Sequence, residues 1–412
     1  MSTRDERQLE CVKKWVGHRC CGVIEACTGF GKSRTALICI TKFINKNPEG
    51  SILIIVPTKE LKNQWEGLLI TNGITNATVA IVNTAVKSNW DIDLLIIDEI
   101  HILGSELFSQ IFEVVKYKMI LGLTATLERL DGKHILIEKH CPIVDRVSVE
   151  EALKNNWVSP YKKYKVVLDV DLTEYDTANK EFYDHFSFFN YDFNLAMSCI
   201  GAKGYLGREA LVKASGAEDK KEYRKIVTAH AFGFMRSLQA RKKFIANHPK
   251  KVEIANFILA HRAECKALTF SPTIQVAEKI KYGEVLHSKQ SKSTRTDVLD
   301  KFIESKSGVL NSSKALDVGI DIPDVNLGII LGVNSSKTVS IQRLGRLIRF
   351  IPGKEAELFV LVLNNTVETS WFNKSNGVSS YITLDEEGLR NMLEGKDYHV
   401  KRNNNMILRL WE

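Results

Sequence analysis

Two short strings hold the residue types needed to bind and cleave a phosphoanhydride: Ala26 to Ser33, A-C-T-G-F-G-K-S, and Asp98 to His101, D-E-I-H. In the first, Gly29 and Gly31 let backbone N–H groups approach phosphates and Lys32 reaches the outer phosphates. Ser33 would hold Mg²⁺ at the positive end of a helix. Thr28, Phe30 and Arg34 complete the loop, and Ala26 stands where the general pattern begins with Gly. In the second, Asp98 anchors Mg²⁺ through water, and Glu99 is placed to polarise an attacking water as general base. Either string alone has a plainer reading, a Gly-rich turn or a solvated acidic turn. Their order along one chain is what joins them into one site.

The elements required to position them are legible as periodicity. Gly22 to Glu25 reads as a strand, and Arg34 to Phe43 as a helix whose Ala36, Leu37, Ile40 and Phe43 recur at helical spacing. Asp98 ends the apolar run Leu94 to Ile97, at the carboxyl edge where open α/β sheets bind ligands. Further strands are expected at Ile52 to Val56, Thr78 to Val82 and Met119 to Leu123, with helices at Leu61 to Leu69 and Leu107 to Val115. The alternation predicts an α/β fold with a parallel sheet. Tyr164 to Val170 reads as one more strand, followed from Asp176 to Asn247 by a helical, aromatic and basic region. A second α/β block then begins near Lys250, with strands at Ala267 to Phe270, Gly308 to Leu310, Leu327 to Leu331 and Leu358 to Leu363.

A chain of 412 residues predicts two or three domains. No secretory-type apolar stretch follows the charged start, Met1 to Glu10, and no run is long enough to span a bilayer, so a cytoplasmic, non-membrane protein is expected. The eight cysteines lack C-x-x-C spacing and suggest neither a zinc site nor a disulfide framework. The net charge of +8 is concentrated: Gly201 to Lys251 holds thirteen Lys or Arg against four Asp or Glu, leaving the rest near neutral. Such a segment is an expected footprint for a polyanion.

The second block has no phosphate loop, yet it contains Q-R-L-G-R-L-I-R from Gln342 to Arg349 and S-S-K-A-L-D-V-G-I-D-I-P from Ser312 to Pro323. Arg346 and Arg349, three apart on one helical face, suit the charge that grows on a transferring phosphoryl group. Ser313 would meet a phosphate, with Gly319 and Asp321 beside a cleft.

With these strings in this order, the chain resembles a superfamily 2 DExH helicase across about 320 residues. The resemblance implies two tandem RecA-like domains, residues 1–165 and 250–412, the latter with a short C-terminal extension. A helical basic insert, 166–249, would lie between them. It makes Gln8 the adenine-reading glutamine, with Arg4 and Arg7 flanking it in place of the usual Arg-x-x-Gln. It makes Gln342, Arg346 and Arg349 catalytic beside Lys32, Asp98 and Glu99, and His101, Thr124 and Thr126 coupling residues. Pro57, Thr58, Thr84, Arg129, Ser271 and Ser313 become nucleic-acid contacts, and ATP and Mg²⁺ the cofactors. Gly122 to Gly132, G-L-T-A-T-L-E-R-L-D-G, is similar to the branch that includes the XPB-type repair translocase, restriction-enzyme motors and tailed-phage DNA branch-migration helicases. Val318 stands before Gly319 where RNA-remodelling DEAD-box proteins usually carry Arg. The early position of Gln8, and the lack of a nuclease constellation after the motor, favour a compact phage-like helicase over a restriction subunit.

The expected activity is ATP-dependent unwinding or branch migration of forked or junction DNA by a monomer tracking one strand. An RNA helicase or RNA-stimulated ATPase, or a non-unwinding nucleotide-gated clamp, remains open at this stage. In the insert, Phe182, Tyr183, Phe186, Phe188, Phe189, Tyr191 and Phe193 read as a small core, with one or two rings left over as a strand-separating wedge. Arg241, Lys242 and Lys243, with Lys250 and Lys251, would line the nucleic-acid groove. His185 and His230 are isolated from other ligand types and read as structural residues.

Overall fold

The computed structural model describes residues 3–128, 132–201, 203–313, 322, 324–333, 353–376 and 381–400. Its first unit is a six-stranded parallel sheet of β1 (Cys21–Ala26), β2 (Ile52–Val56), β3 (Ala77–Ile81), β4 (Trp90–Asp98), β5 (Val115–Thr124) and β6 (Ile143–Val147). The strand order is β3-β2-β4-β5-β1-β6. Ile52 to Val56 is buried at every position, as a parallel strand covered on both faces must be. Around the sheet lie helices α1 (Arg4–Gly17), α2 (Lys32–Lys46) and α3 (Lys59–Thr71). A capping box starts α1: the Glu6 N–H donates to Thr3 Oγ1 at 3.2 Å, and the Thr3 N–H to Glu6 Oε2 at 2.8 Å.

The helix expected over Leu107 to Val115 is instead two single turns, Glu106–Ser109 and Ile111–Val114, and Val115 already opens β5. The apolar residues there are drawn into strand pairing, Trp90 with Val115 and Ile92 with Tyr117. Strand β6, which the sequence reading missed, closes the sheet beside β1.

The second unit is a seven-stranded parallel sheet in the order β13-β7-β12-β11-β8-β10-β9. Its strands are β7 (Tyr161–Leu168), β8 (Lys266–Phe270), β9 (Glu284–His287), β10 (Gly308–Ser313), β11 (Leu327–Ile330), β12 (Ala356–Leu363) and β13 (Ile382–Leu384). Strand β7 pairs with β12 from Tyr161 and Ala356 to Leu168 and Leu363. The boundary expected at 165/166 therefore cuts a strand of the second sheet. The chain crosses to that sheet before entering the insert, because the apolar alternate residues Tyr164, Val166 and Leu168 complete its core.

The insert is four helices, Thr173–Ser187, Phe193–Ser198, Gly204–Ala214 and Lys220–Asn247. Phe182, Phe189, Ala196, Cys199, Ala231 and Phe234 form its separate core. Among the described residues, no helix is long and apolar enough to cross a membrane.

Candidate nucleotide and nucleic-acid sites

The loop between β1 and α2 turns on two residues with left-handed backbone, Gly29 at φ 89° and Gly31 at φ 96°. Gly31 is also the first cap of α2. The left-handed φ favours glycine at 31, and a Cβ there would come within 2.6 Å of Gln8 Nε2 and displace that amide. Gln8, buried on α1, donates from Nε2 to the Phe30 carbonyl at 2.8 Å. Its Oε1 is buried without a hydrogen-bond partner among the described residues, as is Thr28 Oγ1. Lys32 Nζ spans the loop to the Ala26 carbonyl at 3.3 Å. Unsatisfied acceptors, a helix start and an ammonium thus converge on one loop, a set that fits a nucleotide.

Asp98 ends β4 at 5% exposure, its Oδ2 accepting from Trp65 Nε1 at 2.9 Å and its Oδ1 from the Glu99 N–H at 3.0 Å. Burial, then the neighbouring Glu99 carboxylate, push the Asp98 carboxyl up to about 6. The buried Asp98 carboxyl and the Ser33 hydroxyl at the start of α2 are hard oxygen donors, of the type that suits a divalent cation. Glu99 itself has left-handed backbone, φ 54°, an uncommon conformation for a side chain of its size. From there Glu99 Oε2 lies 3.3 Å from His101 Nδ1, which lies 3.1 Å from Thr124 Oγ1, and that hydroxyl donates to the Thr126 carbonyl at 2.9 Å. The expected coupling residues therefore form one contact chain from the acidic pair to the loop after β5. Glu25, which the sequence reading missed, braces that loop by accepting from the Leu127 N–H at 2.9 Å.

Pro57 and Thr58 follow β2, with Thr58 capping α3 through the Leu61 N–H at 3.3 Å, and Thr84 follows the adjoining β3. In the second sheet, the Ser271 N–H donates to the Ser312 carbonyl at 2.8 Å, which sets Ser271 beside Ser313 at the ends of β8 and β10. Ser271 Oγ is buried and unpartnered among the described residues.

The family described as Type III restriction enzyme, res subunit, matches residues 2–87 and 73–129, and Helicase conserved C-terminal domain matches 250–351. A DNA 3'-5' translocase XPB2 of Sulfurisphaera tokodaii is 32% identical over 388 residues, covering 88% of this chain and 82% of that one. The chain belongs to the superfamily 2 helicases of the XPB type. A DEAD-box ATP-dependent RNA helicase 25 of Oryza sativa subsp. japonica matches only 25% of the chain and 18% of its own length, at 35% identity. The solved structure of S. cerevisiae Dbp5 bound to RNA and ADP BeF3 shares the fold, with a TM-score of 0.58 at 14% identity over 94% of this chain and 92% of that one.

In this XPB-type helicase, Arg129, Gly319, Asp321, Gln342, Arg346 and Arg349 lie outside the described residues. Arg241 departs from expectation. At 5% exposure, its guanidinium packs 4.1 Å from the Phe182 ring centre between Tyr175 and Tyr183, so it does not sit in a surface groove. It lies on the inner face of Lys220–Asn247, turned toward Thr173–Ser187, while Lys242 and Lys243 are exposed. Lys251 is buried against Glu368 at 2.6 Å, and Lys250 is paired with Glu253 and Glu386, each at 3.0 Å. His185 and His230 lie together, their Nδ1 atoms 3.3 Å apart, and His230 stacks on Phe188. Of the aromatic cluster Phe182 to Phe193, Tyr183, Tyr191 and Phe193 are exposed, as are Tyr205 and Phe232 elsewhere in the insert.

Proposed function

We propose that this chain is an ATP-driven DNA translocase and helicase, the reading carried by its likeness to an XPB-type DNA translocase over most of both chains. In this reading Lys32 and the loop N–H groups bind the outer phosphates, and Gln8 Oε1 accepts from the exocyclic amine of adenine. Glu99 takes a proton from the attacking water. Ser33 and Asp98 would hold Mg²⁺, which supplies charge neutralisation on the phosphates. His101, Thr124 and Thr126 pass the state of that site to the strand-contacting edge formed by Pro57, Thr58 and Thr84. Ser271 and Ser313 contact the same strand from the second sheet. Arg346 and Arg349 act as arginine fingers with Gln342, so that binding closes the two units and hydrolysis reopens them.

Forked or junction DNA is the proposed substrate, supported by the basic insert and its exposed rings. The test is ATPase stimulation by single-stranded, duplex, forked and four-way DNA against matched RNA, with strand displacement measured in parallel. Stronger stimulation by branched DNA is expected. Stimulation by RNA alone would overturn the DNA reading, and hydrolysis without displacement or translocation would make the protein a clamp.

A further inference from the structure

Arg7 is buried and charged beside the nucleotide loop, yet phosphate and base chemistry make no use of it. Its two terminal nitrogens fork onto Asp145, Nη1 to Oδ2 at 2.5 Å and Nη2 to Oδ1 at 3.1 Å. Nη2 also donates to the Arg146 carbonyl at 3.1 Å, and Nε to Glu151 at 2.7 Å. Lys14, two turns along α1, adds a contact to Asp145 at 2.8 Å. We infer that Arg7, clamped between Asp145 and Glu151, is a positioning residue that sets Gln8 for base recognition, so that the preference for adenine over guanine depends on this ion cluster. The inference rests on the reading of Gln8 given above.

The attachment of α1 is uneven. Its apolar anchors Cys11, Val12 and Trp15 belong to its later turns, where Trp15 Nε1 also donates to the Ile120 carbonyl at 2.9 Å. In the first turns, which carry Gln8, the long-range ties include the Arg7 cluster, the Gln8 bond to Phe30 and an exposed Asp5 to Arg34 bridge at 2.9 Å that solvent screens. Buried ion clusters seldom exceed apolar packing in stability, so the consequence of this one is where it puts its neighbour. Gln8 needs that constraint. Its Nε2 is committed to Phe30, which leaves Oε1 as a fixed open acceptor. An acceptor there pairs with the exocyclic amine of adenine and repels the carbonyl that guanine carries in its place.

The experiment compares Arg7→Met, Gln8→Ala and the double variant, reading KM and kcat for ATP and GTP with saturating DNA, Kd for fluorescent ATP and GTP analogues, and melting temperature. Arg7→Met should raise KM for ATP about tenfold, the worth of one well-placed hydrogen bond, with most of the effect in KM rather than kcat. Its ATP-over-GTP ratio should fall by a similar factor, and the double variant should discriminate no worse than Gln8→Ala alone. An unchanged ratio in Arg7→Met, or additive losses in the double variant, would reduce Arg7 to a structural residue. If Gln8→Ala itself kept the ratio, the reading of Gln8 would fail first and the inference with it. Should Arg7→Met not fold, Glu151→Gln leaves the fork on Asp145 and should lower the ratio by about two- to threefold. No change there would also overturn the inference.

Discussion

The carboxyl edges of the two sheets treat buried charge in opposite ways. At the first, Asp98 and Glu99 adjoin, Lys32 reaches the Ala26 carbonyl, and Gln8 Oε1 and Thr28 Oγ1 have no hydrogen-bond partner among the described residues. At the second, charge is neutralised in place: Lys251 and Glu368, 1% and 0% exposed, meet at 2.6 Å and 2.8 Å. Glu368 also accepts from the Leu363 N–H at 2.9 Å and the Val333 N–H at 3.3 Å, and Lys251 donates to the Leu331 carbonyl at 3.0 Å. One edge keeps its polar groups open for a ligand. The other uses them to tie together the ends of β11 and β12.

That contrast makes the open edge sensitive to chemistry and the closed edge sensitive to packing. The largest expected effect joins the two. Arg346→Ala should leave ATP binding nearly intact and cut turnover by about 10³ to 10⁵, as loss of an arginine finger does. Unchanged turnover in phosphate-release assays would remove Arg346 from the site. On the open edge, Glu99→Gln should bind ATP and stall, with kcat lowered about 10² to 10⁴, whereas Lys32→Ala should fail at binding. Nucleotide titration alongside turnover separates the two, and Glu99→Gln at the wild-type rate would exclude Glu99 as the base.

At the closed edge, Lys251→Met should lower stability by about 3 to 5 kcal/mol, because Glu368 is left charged and buried. Adding Glu368→Leu should recover only part of the loss, since the Leu363 and Val333 N–H groups then lose their acceptor at about 1 to 3 kcal/mol each. Denaturant unfolding measures both variants. Full recovery would mean that the pair does not hold the strand ends. The cluster around Arg7 offers a pH-dependent counterpart. Burial raises the Asp145 carboxyl, but the Arg7 fork and the Lys14 ammonium outweigh it and hold the group down at about 2. A depressed carboxyl contributes stability above its unfolded value near 4 and loses it as pH falls through about 2, roughly 2 kcal/mol in all. Melting curves from pH 5 to pH 2 should show this slope and lose it in Asp145→Asn.

The open edge was legible in the sequence because its chemistry is contiguous. Lys32 and Ser33 follow the glycines that shape their loop, and Asp98 and Glu99 end an apolar run. What escaped notice was held by partners far along the chain. Trp65 reaches Asp98 across 33 residues, and Arg7 reaches Asp145 across 138. Edge strands escaped for another reason: β9 and β13 have four and three residues, too few for alternation to register. Charge counting erred over Gly201 to Lys251 because composition does not say which face of a helix a residue occupies. Arg241, Lys250 and Lys251 all count toward the basic excess, yet one is caged by rings and two are paired.

The insert therefore divides internally, as the two edges do, into charge turned inward and charge offered to solvent, and its variants should separate the two with the smallest effects. Lys242 and Lys243 are exposed on Lys220–Asn247, a helix whose buried face carries Val227, Phe234, Arg241 and Ile245. If these two lysines touch DNA phosphates, Lys242→Ala with Lys243→Ala should flatten the slope of log affinity against log salt by up to about 1.8 on duplex arms, near 0.9 per contact. Melting temperature and DNA-free ATPase should hold. Arg241→Met should behave inversely. It keeps an apolar stem against Phe182 but loses the cation over the ring, so stability should drop by about 1 to 2 kcal/mol with the salt slope unchanged. Junction binding across a salt series for wild type and both variants decides the matter. An unchanged slope in the lysine pair would make the outer charge a solvated face, and a flattened slope in Arg241→Met would show that the ring-caged guanidinium reaches the track after all.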